Sequence, residues 1–135
     1  MQQAFFLNAI LLQPGSMSRR IKPHTTHREV FMSEFTQVTV VKKANIYFDG
    51  LVTSRTVLFP DGSKKTLGVM QTGEFEFSTT VPEVMEITSG ELEWKLSSES
   101  SWKRVVGGES FSVPADTTFI MKVTTVTDYC CSFVK

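Results

Sequence analysis

From Val38 onward, apolar residues recur at every second position, the period of strands rather than helices. Glu74-Phe75-Glu76-Phe77 alternates acid with aromatic, and Glu91 to Leu96 sets Leu92, Trp94 and Leu96 on one face. Each reads as a strand with one side in a core. The runs Val38–Val41, Ala44–Phe48, Leu51–Phe59, Thr66–Gln71, Val84–Thr88, Trp102–Val106, Phe111–Val113, Thr118–Val126 and Tyr129–Val134 extend the pattern. Turn residues separate them at Asp49-Gly50, Pro60-Asp61-Gly62, Gly73 and Gly107-Gly108. Short strands at this spacing favour an all-β sandwich or barrel over any α/β fold.

Residues 1–31 break the pattern. Phe5 to Leu12 is apolar but too short to span a bilayer, and no basic residue precedes it as a secretory signal requires. Pro14-Gly15 and the basic stretch to Arg28 show no alternation. Residues 1–37 are therefore expected to be an N-terminal extension, disordered or the product of an upstream start with Met32 as the true initiator. Residues 38–135 are expected to form one domain.

Composition narrows the function classes. The formal net charge is zero over 135 residues, but residues 1–31 hold Arg19, Arg20, Lys22 and Arg28 against Glu29, a balance of +3 that leaves −3 for the body. A slightly acidic body lacks the basic face that nucleic acid demands. The two cysteines, Cys130 and Cys131, are adjacent, where a mutual bridge is strained. A reducing compartment, the cytoplasm, is the expected location. Since neighbours on a strand face opposite ways, at most one of the two is expected to be buried.

Two spaced signals stand at the centre of the chain. Glu83 is followed by Gly90, and Gly108 by Pro114, with the Leu92–Trp94–Leu96 strand between them. This spacing resembles the two motifs of the cupins, which implies a single-domain jelly roll, an antiparallel double-sheet β-barrel. Cupins usually carry two histidines shortly before the motif glutamate and a third after the proline. Here those stretches hold Phe77, Ser78 and Thr79, and Phe119; the chain's two histidines, His24 and His27, lie far upstream. A metal held by three histidines and a glutamate is excluded, so no metal is expected.

The wording of particular blocks is more specific. Asn45 to Gly50, Gly68-Val69-Met70, Gly73 to Thr79, Pro82 to Met85, Ser89-Gly90 and Gly108 to Pro114 resemble the pyrimidine/purine nucleoside phosphorylases over roughly residues 38–134. The resemblance implies phosphorolysis of nucleosides to free base and pentose 1-phosphate with broad base tolerance. It also implies inorganic phosphate as co-substrate, no cofactor, and a homodimer.

That chemistry needs donors for phosphate, a carboxylate for ribose hydroxyls or the leaving base, and rings to flank the base. Glu83 and Arg55 are the expected catalytic pair; Tyr47, Phe48, Ser54, Lys64, Thr66, Phe77, Glu86 and Phe119 are the expected substrate contacts. Each has a plainer explanation. Arg55 sits mid-strand on the face of Val57 and Phe59, costly unless that face is wet or functional. Glu86 lies between Met85 and Ile87 and points to solvent if they face the core. Lys64, Lys65 and Arg104 fit ordinary surface charge, and Phe77 and Phe111 fit ordinary core. Neither cysteine has a histidine in the domain to activate it as a nucleophile. Two other classes stay open: a non-catalytic cupin binding a small sugar or nucleobase-like ligand, and a metal-dependent oxygenase with an unusual ligand set.

Overall fold

Each alternating run becomes a strand in the computed structural model, which describes residues 33–134. The expectations for residues 1–31 fall outside the described residues. In chain order the elements are β1 Thr39–Val40, β2 Asn45–Tyr47, a 3-10 turn Phe48–Gly50, β3 Val52–Leu58, β4 Lys64–Met70, β5 Gly73–Ser78 and β6 Glu83–Ser89. They continue as β7 Glu91–Leu96, β8 Lys103–Val106, β9 Ser110–Val113, β10 Thr118–Val123 and β11 Thr127–Phe133. A seven-stranded sheet runs β1-β3-β4-β11-β6-β9, with β2 also on β3, and a four-stranded sheet runs β5-β10-β7-β8. Every pairing is antiparallel. This is the expected all-β double-sheet architecture.

The period of two decides what lies between the sheets. Met85 and Ile87 from β6, Phe111 and Val113 from β9, and Tyr129 and Cys131 from β11 face inward from the larger sheet. Phe75 from β5, Leu92 and Trp94 from β7, and Phe119, Met121 and Val123 from β10 answer them from the smaller one. Trp94 and Phe111 stack with ring centroids 4.3 Å apart, tying β7 to β9 across the layers. Fully burying a side chain such as Phe119 or Met121 contributes roughly 1.5–3 kcal/mol, so this interior carries the fold.

Several boundaries differ from the sequence pattern for local reasons. β10 stops at Val123, because Thr124 turns back and donates both its N–H and its hydroxyl to the Glu91 carbonyl. The run through Phe48 ends at Tyr47, since Phe48, Asp49 and Gly50 all take left-handed φ. Both motif glycines sit at positive φ, Gly90 at +105° and Gly108 at +95°. A Cβ on Gly90 would also lie 2.7 Å from the Val126 carbonyl.

The cysteine expectation is corrected. Both Cys130 and Cys131 are free and both are buried. They do face opposite sides, but β11 is interior to its sheet, flanked by β4 and β6. On the outer face Cys130 is short, and it sits between the longer side chains of its lateral partners Leu67 and Glu86. A sequence position near the end of the chain is a central position in the sheet.

Candidate functional site

Register converts the inward-facing positions into rows that run down one end of the barrel. The first row holds Lys64 at the start of β4, Glu83 at the start of β6 and Phe133 at the end of β11, with Ser78 ending β5 opposite. One row down, Thr66, Cys131 and Met85 are lateral neighbours. The next holds Ser54, Gly68, Tyr129 and Ile87. Rows are separated by two residues, roughly 7 Å along a strand. Ser54, Thr66, Gly68 and Cys131 are short in these rows, and the barrel therefore stays open here.

The opening is a cavity of about 230 Å³ lined by Glu83, Thr66, Ser54, Tyr129, Phe77 and Phe119, among others. Its mouth adjoins a wider depression of about 500 Å³ lined by Gly62, Lys64, Thr80 and Val81, and Ser78, Glu83 and Phe133 line both. Phe77 and Phe119 have centroids 6.2 Å apart. Tyr47 and Phe48 pack edge-on against Phe77 at 5.5 and 5.4 Å. The Lys64 ammonium stands 5.1 Å from the centre of the Phe133 ring.

Glu83 is the carboxylate of the cavity. Half-burial raises its pKa above the ordinary value, opposed by a hydrogen bond that the Cys131 thiol donates to Oε1 at 3.4 Å. The same burial, with the Glu83 charge beside it, pushes the Cys131 thiol far up, so it stays protonated and donates. Burial likewise raises Tyr129, with the neighbouring Ser54 hydroxyl acting in the opposite direction. Cys130, on the other face, is raised to about 11 by burial first and then by the nearby Glu86 charge. Neither thiol has the lowered pKa of a reactive nucleophile.

The motif blocks become legible as geometry. Thr79 is buried, and its hydroxyl donates to the Pro114 carbonyl at 2.6 Å while accepting from the Thr117 N–H at 3.1 Å. That clasp joins the β5–β6 turn to the β9–β10 turn, which steadies Ser78 and Glu83 at the cavity edge. Gly68 is required for another reason. It has ordinary strand φ, yet a Cβ there would lie 2.7 Å from the Tyr129 ring and hydroxyl. Glycine leaves the space in which Tyr129 reaches the cavity.

Of the expected site residues, Glu83, Tyr47, Ser54, Thr66, Phe77 and Phe119 line the cavity, and Lys64 stands at its mouth. Phe48 supports the wall by packing on Phe75 and Phe77. Arg55 and Glu86 do not join them. Arg55 is exposed on the outer face, its Nε donating to the Lys42 carbonyl at 3.3 Å. Val57 on its face suggested an interior, but the inward residues of β3 are Val52, Ser54 and Thr56, so the parity is the opposite one. Glu86 faces outward beside Cys130, as its position between Met85 and Ile87 allows. Arg104 is paired with Glu91 at 2.8 Å on the exposed surface. Tyr129, Cys131, Phe133 and Ser78 line the cavity without having been singled out; only the β11 pairing with β4 and β6 brings three of them there. No group of three or more His, Cys, Asp or Glu side chains converges among the described residues. No helix among them is long and apolar enough to cross a membrane.

Comparison with known proteins bears on this cavity. A family model described as pyrimidine/purine nucleoside phosphorylase matches residues 42–133. A Pelobacter propionicus protein of that name is 64% identical over 104 residues, 77% of this chain and 100% of the relative. A Geobacter sulfurreducens protein of the same name is 64% identical over 103 residues, 76% of this chain and 99% of its own. Among solved structures, a protein of unknown function (DUF1255) from Acinetobacter sp. ADP1 superimposes with a TM-score of 0.72 at 44% identity, over 75% of this chain and 98% of that one. An RmlC-like cupin from Shewanella frigidimarina NCIMB 400, at 16% identity and a TM-score of 0.56, covers 74% of this chain and 86% of that one and shows the fold alone. The double-sheet barrel is a cupin jelly roll.

Proposed function

The chain belongs to the pyrimidine/purine nucleoside phosphorylase family, and from that premise we propose that its cavity performs phosphorolysis of purine and pyrimidine nucleosides to free base and pentose 1-phosphate. The observation that carries this reading is Glu83. It stands where an apolar, ring-lined cavity meets a mouth bearing a cation, lining both.

Displacement at an anomeric carbon passes through an oxocarbenium-like transition state, and a directly displacing nucleophile approaches the face opposite the leaving group. Base, sugar and phosphate therefore want to lie in sequence. The cavity offers that sequence. Met70, Phe77, Phe119 and Met121 give the cavity an apolar lining that suits a base. Glu83, two rows nearer the surface than Tyr129, suits a pentose hydroxyl or the developing positive charge. Lys64, Ser78 and Thr80 at the mouth suit phosphate. The phosphate oxygen bonds to the anomeric carbon, the bond to the base nitrogen breaks, and the hydrogen phosphate's proton ends on the free base. The reaction calls for no metal and no cofactor, and a cytoplasmic homodimer is the expected setting.

A second reading is a silent binder of a nucleobase or small sugar. The inner volume favours it, being below the roughly 300–1,000 Å³ usual for ligand sites; the adjoining mouth supplies the missing space for a nucleoside and phosphate. Incubating purified protein with uridine or adenosine, with and without inorganic phosphate and after exhaustive chelation, separates the readings. Base release that requires phosphate and survives chelation supports phosphorolysis. Release without phosphate makes the protein a hydrolase, and none at all leaves the binder.

A further inference from the structure

Tyr129 is a polar group of the inner cavity that the chemistry above leaves unused. It is 6% exposed, lines the cavity, and owes its position to the missing side chain at Gly68. Around it the polar atoms form an ordered chain. The Asn45 amide donates from Nδ2 to Ser54 Oγ at 3.2 Å and to Thr56 Oγ1 at 3.3 Å. Ser54, 5% exposed, shares a row with Gly68 and Tyr129. Nδ2 can only donate, so Ser54 Oγ accepts there and keeps its own proton to give within that row. The Tyr129 hydroxyl, in the space over Gly68 on the cavity wall, has its proton to offer to the cavity. Met70, Met121 and Phe119 line the same cavity and offer no strong acceptor, and the carboxylate that does, Glu83, starts two rows nearer the surface.

We propose that Tyr129 donates this proton in a hydrogen bond to the one acceptor every nucleobase presents beside its glycosidic bond, O2 of a pyrimidine or N3 of a purine. The proposal rests on the phosphorolytic reading. The Watson–Crick edges of the bases carry conflicting donor and acceptor patterns, and a site reading them discriminates. The minor-groove edge presents the same acceptor in adenine and thymine, and aromatic walls accept any base because each has a π-face. One donor against that edge in an otherwise apolar slot accepts both base classes. The same bond works in the transition state. As the glycosidic bond breaks, its electron pair enters the base and spreads onto O2 or N3, so the hydrogen bond strengthens where charge develops. Tyr129 thus touches substrate directly, and Ser54 and Asn45 are positioning residues.

The test uses the full chain, inorganic phosphate, and adenosine, 3-deazaadenosine, 7-deazaadenosine and uridine, with Tyr129→Phe and Ser54→Ala. Tyr129→Phe keeps the ring and its packing. It is expected to slow adenosine and uridine by a common factor of about ten to a hundred, the range for a hydrogen bond to a charged group. It is expected to leave 3-deazaadenosine nearly unaffected, so that the adenosine to 3-deazaadenosine ratio collapses, while the ratio to 7-deazaadenosine holds. Ser54→Ala lowers the same ratio in part, which a purely structural role would not do. Calorimetry with adenine and 3-deazaadenine needs no turnover: wild type binds adenine more tightly, and Tyr129→Phe binds both alike. An unchanged ratio in Tyr129→Phe, or equal binding of the two bases by wild type, overturns the proposal. Tighter adenine binding without any phosphate-dependent cleavage retains the Tyr129 donor and overturns the phosphorylase reading instead.

Discussion

Replacing Gly68 with alanine is the sharpest test of how this cavity is built. In an unstrained strand the change stabilises by about 0.5–1 kcal/mol, because glycine loses more freedom on folding. Gly68 has no positive φ to forbid a side chain, so open space would give that gain. The structure leaves no open space. The added Cβ would meet the Tyr129 ring carbon and hydroxyl at 2.7 Å and the Thr53 carbonyl closer still. Tyr129 is 6% exposed and can move only by disturbing the packed cavity wall around it. Thr53 belongs to β3, in the ladder with β4, and its carbonyl can move only with the backbone. Overpacking of this kind costs about 1–3 kcal/mol; with two clashes the upper part of that range applies, and after the glycine gain the balance is a net destabilisation of roughly 1–2.5 kcal/mol.

For a body of this size each kcal/mol shifts Tm by roughly 4–8 °C. Thermal and urea unfolding of Gly68→Ala are therefore expected to show a Tm lower by about 5–20 °C. Repeating the change in a Tyr129→Ala background separates the two clashes. The cost of Gly68→Ala should shrink there but stay positive, because the Thr53 carbonyl remains; a coupling of about 0.5–3 kcal/mol is expected between residues in such contact. A Tm for Gly68→Ala at or above wild type would refute the account of why glycine stands there.

Glu83→Gln should stabilise the fold near neutral pH while lowering turnover more than it raises either Michaelis constant. Burial raises the folded-state pKa of Glu83, so its stabilising contribution is present below the unfolded pKa and lost as pH rises through the folded one. Denaturant titrations should accordingly show the Gln variant's advantage shrinking as pH falls below the folded pKa, and an advantage that grows toward acid would refute this sign. Lys64→Ala should raise the Michaelis constant for phosphate by about fivefold, a modest value because the group is exposed and screened, and change that for nucleoside little. Arg55→Ala, on the outer face, should alter both by less than about twofold; initial-rate kinetics over phosphate and nucleoside check the pair, and the reverse pattern would return the phosphate site to Arg55.

What the sequence disclosed and what it withheld divide along local and non-local physics. The strands from Glu74 to Ser78 and from Glu91 to Leu96 followed directly from alternation, since each buries one face and the period alone says which. Glu83 and the ring positions Phe77 and Phe119 followed from motif spacing. Arg55 did not, because Val57 is buried although it lies on the outer side of β3. Parity read from hydrophobicity alone then assigns the wrong face, and only the pairing of Ser54 with Gly68 corrects it. Lys64 looked like turn-adjacent surface charge, and its inward parity appears only once β4 is laid against β11. Tyr129 carried no local signal at all. Its place depends on a partner 61 residues earlier whose contribution is a missing side chain.

The positions where metal-binding cupins carry histidines explain why a carboxylate works differently here. Phe77 and Phe119 hold two of those stretches, and both rings line the cavity with centroids 6.2 Å apart. A divalent ion beside Glu83 would hold its carboxyl ionised and its pKa low. Burial at the cavity edge does the reverse: it takes water from the carboxyl without supplying charge, and its pKa rises. The donor that moderates this rise is a neutral thiol, Cys131, which can steady the carboxylate but cannot neutralise it. Thr79, also within the first of those stretches, has turned to structure, clasping the Pro114 carbonyl. The jelly roll thus sets one acid at the rim of an apolar, ring-lined cavity, with a cation at the mouth beyond it.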